Sequence, residues 1–154
     1  MTTFHVHSIP DGVADEVRTT MRAPGYGHPA YREKAALGTG PCRQCLRTFA
    51  VGAEPRILFT YQPFTEDGSL PAPGPIFIHA SGCERYEGAT LPPDLRSLPL
   101  VFEAYANGGR LLAQERVSEG ASDDQLRAVL ERTGADYVHI RHGEAGCFIA
   151  RVSC

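Results

Sequence analysis

Leu100-Val-Phe-Glu-Ala-Tyr-Ala106, Asn107-Gly108-Gly109 and Arg110-Leu-Leu-Ala-Gln-Glu-Arg-Val117 read as two strands around a tight turn. Asn and Gly tolerate the positive φ that a close reversal between antiparallel strands needs, so this stretch predicts a β-hairpin. Downstream, residues 122–133 carry helix signals at both ends. Ser122 suits the N-cap, Asp123 and Asp124 complement the first turn, Leu126 and Leu130 share a face with Val129 beside them, and Gly134 closes the helix. Residues 137–142 and 147–152 then form a second hairpin across Gly143-Glu144-Ala145-Gly146.

Working outward, residues 3–9 alternate in polarity and read as a short strand. After Pro10, Val13, Val17 and Met21 recur at a spacing of four, placing them on one helical face that Pro24-Gly25 would end. From residue 23 to 41 the composition turns to Gly, Pro, Tyr and His, an irregular surface segment with one helical turn expected over 32–37. Residues 56–62 and 75–79 are strands, and the loop of residues 63–75 between them is long enough to suggest a lid. Residues 91–99 are punctuated by Pro and read as irregular with one turn. Strands joined mainly by hairpins, with two helices, predict an α+β fold: a mainly antiparallel sheet covered on one side, in a single domain spanning residues 1–154.

The totals narrow the classes of function. A chain of 154 residues, 42% of them hydrophobic, buries enough surface to hold a core without staples, so a metal would be local support or chemistry. With 21% charged residues and a net charge of −3, no basic excess advertises nucleic acid or anionic lipid. No secretory signal and no apolar run of membrane-spanning length are visible. The odd count of five cysteines fits a reducing compartment, and the expected location is cytoplasmic.

Those cysteines carry the sharpest chemistry. Cys42-Arg43-Gln44-Cys45 can aim two sulfurs at one cation, and His79-Ala80-Ser81-Gly82-Cys83 offers an imidazole and a third sulfur around a glycine. Zinc takes four such ligands at tetrahedral corners, and three Cys with one His is a common closed set. Two alternatives stand beside zinc held by Cys42, Cys45, His79 and Cys83. The residues can be free thiols and a hydrogen-bonded histidine, or the CxxC pair can be redox-active, although the βαβ pattern that usually carries such a pair is missing.

Locally, Cys42, Cys45, Gly52, Arg56-Ile57, His79 and Cys83 resemble treble-clef zinc fingers of the type found in poly(ADP-ribose) polymerases. The resemblance covers about a quarter of the chain, and the His79–Cys83 spacing is one residue wider. Such fingers bind DNA breaks, a function that the charge balance here does not support. Over nearly the whole chain, residues 41–47, 74–80 with Cys83, and 137–141 with 146–148 resemble the bacterial domain-of-unknown-function family 1203. That resemblance implies no activity, but it groups the third segment with the first two.

On a strand over 137–142, Tyr137, His139 and Arg141 share one face, which is either a solvated sheet face or a cationic surface. With Cys147 nearby, His139 and Arg141 are candidate contacts for a small anionic ligand. A four-residue loop sets His142 opposite Cys147, so an enzyme built on an activated thiolate or a zinc-bound water is the alternative to a structural or binding role. A metal-free binding module is the third reading. Catalytic residues, substrate and oligomeric state are not legible.

Overall fold

The structure is a computed structural model that describes residues 2–63 and 73–154. The core of the lid expectation, residues 64–72, lies outside the described residues. In chain order the elements are β1 (His5–His7), α1 (Asp11–Thr20), β2 (Tyr31–Glu33), β3 (Arg56–Tyr61), β4 (Gly74–His79), β5 (Glu87–Gly88), a 3₁₀ turn (Pro93–Ser97), β6 (Leu100–Ala106), β7 (Arg110–Val117), α2 (Asp123–Thr133), β8 (Tyr137–His142) and β9 (Phe148–Ser153). The fold is α+β, with two α-helices and antiparallel strand pairing throughout the described residues.

The strands divide between two sheets. The larger runs β5-β1-β9-β8-β6-β7, and the smaller runs β2-β3-β4. Local chemistry explains the hairpins of the large sheet. Gly108 and Gly109 adopt φ of 86° and 79°, reversing β6 into β7, and residues 143–146 reverse β8 into β9. The helix α2 starts on a full capping box: the Ser122 hydroxyl accepts from Gln125 N–H while the Gln125 side chain accepts from Ser122 N–H. Its Leu126, Val129 and Leu130 bury against Val138, Ile140, Ala150 and Val152, forming one apolar core on one face of the large sheet. A second core joins α1 (Ala14, Val17), the small sheet (Ile57, Phe59, Ile76, Ile78), Cys42, Cys45 and Phe148.

Two expectations need correction. The helical turn anticipated over 32–37 does not form: residues 31–33 pair with β3, Tyr31 opposite Leu58 and Glu33 opposite Arg56. The first helix ends at Thr20, on Met21 in the left-handed conformation, before Pro24 is reached. Among the described residues no helix is long and apolar enough to cross a membrane.

Candidate metal centre

Residues 41–46 form a tight reversal in which Leu46 N–H donates to Cys42 O and Cys42 N–H donates to Arg47 O, both at 2.9 Å. Leu46 holds a left-handed φ of 58°, unusual for leucine, and its side chain is wholly buried in the larger core. That burial offsets the conformational strain, which glycine would avoid without filling the space. Arg43 N–H donates to Phe77 O at 2.9 Å and pins the reversal to β4. At the end of β4, Ala80 N–H donates to Pro55 O and Gly82 adopts φ 93°, returning the chain so that Cys83 follows His79 back to the same place.

The ligand atoms of Cys42, Cys45, His79 and Cys83 therefore converge, all within 4.8 Å of one another. Zinc with bonds of about 2.3 Å to sulfur and about 2.0 Å to nitrogen has tetrahedral edges of about 3.8 Å between sulfurs and about 3.5 Å between sulfur and nitrogen. Cys42 Sγ lies 3.7 Å from Cys83 Sγ, and Cys45 Sγ lies 3.5 Å from His79 Nδ1. These edges fit a divalent cation at the centre. The second nitrogen of the imidazole is occupied as metal-bound histidines require: His79 Nε2 lies 2.9 Å from Glu54 Oε2. Phe49 packs on the His79 ring with centroids 4.6 Å apart. Gly40 makes room for that ring, since an added Cβ there would meet Phe49 Cδ2 at 2.5 Å.

The electrostatics are those of groups sharing protons. Cys45 and Cys83, the nearest donors, hold the Cys42 thiol far below the ordinary thiol range. The same sharing with Cys42 and then Cys45, aided by burial, pushes Cys83 far up. Cys42, then Cys45, raises His79 to about 10. A divalent cation displaces such shared protons and takes all three sulfurs as thiolates. Three thiolates on a dication leave one net negative charge. The backbone N–H of His79 donating to Cys42 Sγ at 3.4 Å, and Arg18 Nη2 at 3.9 Å from Cys83 Sγ, would both act against it.

Glu54, Phe49 and Arg18 were not legible as site residues. The one available signal was the β3–β4 register, which sets Arg56 opposite His79 and so brings the residues just before β3 alongside the imidazole.

The third segment is placed differently from the first two. Tyr137, His139 and Arg141 do share a face, but it is not solvated: Tyr137 is 2% exposed and His139 0%. A bulge after Ile140 brings Phe148 opposite Arg141, and its ring stands edge-on to His139 with centroids 5.0 Å apart. Burial, then Arg151 and Arg141, lowers the His139 pKa to about 3, so the imidazole is neutral. Arg141 is matched by Glu103, which also accepts from Tyr105 Oη at 3.0 Å and Gln114 Nε2 at 2.7 Å. Arg141 and Cys147 line a common cleft of about 350 Å³, and His139 does not join them there.

His142 does face Cys147 across the hairpin, His142 N–H donating to Cys147 O at 2.9 Å. The side chains do not form a thiol–imidazole pair. His142 Nδ1 accepts from Glu144 N–H at 3.2 Å and Ala145 N–H at 3.4 Å, while Cys147 Sγ lies 3.8 Å from Ala145 O. Nδ1 is engaged in closing the loop.

A family model described as "Protein of unknown function (DUF1203)" matches residues 39–153. The matched region contains all four residues of the cluster and the β8–β9 hairpin. No curated protein and no solved structure matches the chain.

Proposed function

The chain belongs to the DUF1203 family, whose description names no activity, and from the site itself we propose that it is a zinc-binding protein in which the metal has a structural or binding role. One observation carries the reading: three sulfurs and His79 Nδ1 gather within 4.8 Å of one another, two pairs of them at tetrahedral-edge spacing, with the other imidazole nitrogen already held by Glu54. Thiolate-rich tetrahedral sites favour zinc over the harder divalent ions, which prefer oxygen. Four protein ligands fill the coordination sphere and leave no position for an activated water, so this set supports a clamp more than a catalyst. The clamp would join the 41–46 reversal to the end of β4.

Metal analysis of protein purified without a histidine tag tests this. One equivalent of zinc is expected, with an X-ray absorption spectrum at the zinc edge fitting three sulfurs and one nitrogen. Cys45→Ser is expected to lose the metal. Protein that stays metal-free after reduction and zinc supplementation, or a variant with unchanged stoichiometry, would retire the site.

A further inference from the structure

We infer that a second site, between the 38–40 loop and the tip of the β8–β9 hairpin, binds a small oxyanion, a carboxylate or phosphate group, between Arg43 and Arg56. The cleft there is about 260 Å³. Both arginines, His142 and Cys147 line it, and among the described residues no Asp or Glu does. The contrast with the 570 Å³ cleft beside the metal cluster is informative: Arg47 and Arg85 there are outnumbered by Glu54, Glu84 and Glu87. In a chain of net charge −3, the small cleft concentrates positive charge.

Arg43 is the unusual member. It is only 4% exposed and donates to two carbonyls, Phe148 O at 2.6 Å and Pro41 O. Among the described residues no carboxylate lies within ion-pair distance of it. Carbonyls satisfy N–H groups without neutralising the charge, and buried charges are ordinarily paired. Arg56 is matched by Glu33 through Nε at 2.8 Å, and its Nη1 donates to Gly38 O at 3.1 Å. Among the described residues no carboxylate is matched to Arg43, so its charge is available to the cleft it lines. His142 adds a donor: with Nδ1 accepting two backbone N–H groups, the proton of the neutral ring sits on Nε2. Leu58, Pro75 and Phe77 supply an apolar wall, which suits an anion on a small organic body. This places the anion that the sequence suggested for His139, Arg141 and Cys147 one strand face away, with Cys147 as the shared residue.

The test uses the thiols already present, in the protein as purified. Cys147 alkylation by iodoacetamide is followed by peptide mapping, with the exposed Cys154 as control within the same chain. Inorganic phosphate or butyrate is expected to slow Cys147 by about threefold at twice its dissociation constant, leaving Cys154 unchanged and chloride at equal ionic strength without effect. Protection by phosphate alone assigns a phosphoryl ligand, and by butyrate alone a carboxylate. Titration calorimetry with the same two anions gives a readout that does not depend on thiol reactivity. Ala145→Glu, at the exposed hairpin tip, sets a tethered carboxylate at the mouth and should abolish both protection and binding heat without lowering the unfolding midpoint. Arg43 itself is avoided because it ties the metal reversal to β9. No binding heat from either anion at tens of millimolar, equal protection by chloride, or full protection in Ala145→Glu would each overturn the site.

Discussion

Glu54→Gln is the most discriminating perturbation of the proposed metal site, because it removes a charge from the group behind His79 and leaves all four proposed ligands in place. Glu54 uses both oxygens: Oε1 accepts from Ala50 N–H at 2.6 Å, and Oε2 lies 2.9 Å from His79 Nε2. Glutamine has a single amide oxygen, so it can serve Ala50 or His79 but not both. In either orientation the negative charge that strengthens the imidazole as a donor is gone. Loss of such a partner typically lowers metal affinity 10- to 100-fold, about 1.4 to 2.7 kcal/mol. The Glu54 side chain is 40% exposed, and solvent screening places the expected loss at the lower end, about tenfold. The assay is competition for zinc against a chromogenic chelator at fixed pH and salt, with the unfolding midpoint of metal-free protein as control. Stoichiometry should stay at one. An affinity within twofold of the parent would show that Glu54 does not orient a metal-bound His79 and that the nitrogen assignment is wrong.

Gly40→Ala should destabilise the fold by about 2 kcal/mol or more in urea unfolding, since φ is +88° and the new methyl would lie 2.5 Å from the Phe49 ring. A change below about 0.5 kcal/mol would mean the ring is not held on His79 as described. His139 makes stability fall in acid: its folded pKa of about 3 lies below the value of 6.5 for a free imidazole. Between those values only the unfolded chain binds the extra proton, so the contribution is complete above pH 6.5 and is lost toward pH 3, at up to about 1.4 kcal/mol per unit. His139→Leu should remove that slope, and a parent-minus-variant difference that is flat between pH 6.5 and 4.5 would contradict the burial.

The elements legible in the sequence are those whose causes are local. The bounds of β6 and β7 follow from the reversal that Asn107-Gly108-Gly109 supplies, and those of β8 from the alternation of residues 137–142 and the reversal at 143–146. The start of α2 follows from Ser122 and the residues after it. Partition into two sheets was not legible, because alternation says which side chains share a face and is silent about the partner strand. Residues 31–33 illustrate this: with Tyr31 and Arg32 exposed they have no strand pattern of their own, and β3 makes them a strand by pairing. The face of Tyr137, His139 and Arg141 has the pattern of a solvated one; Phe148 stands against His139, and Tyr105 and the Arg151 guanidinium lie on Tyr137, none of them written in residues 137–142. Cysteine and histidine spacing disclosed the four cluster residues, whereas Glu54, Phe49 and Arg18 come from segments linked to it only by tertiary structure.

The two sites meet at Arg43, and their geometry sets what a metal there would contribute. The larger core extends from β1 to β9 under α2 and reaches the 41–46 reversal only through Leu46. Its apolar burial does not depend on the cluster. The smaller core is different, since Cys42 and Cys45 belong to it and the small sheet packs around them. A cation at the cluster would therefore act chiefly on how the small sheet seats against the large one. Arg43 is the lever: its N–H is bound to β4 through Phe77 O, and its guanidinium is bound to the start of β9 through Phe148 O. A residue held on both sides by ligands has little freedom to turn. The proposed zinc would thus fix the bearing of the guanidinium, and with it the charge that the neighbouring cleft presents to an anion.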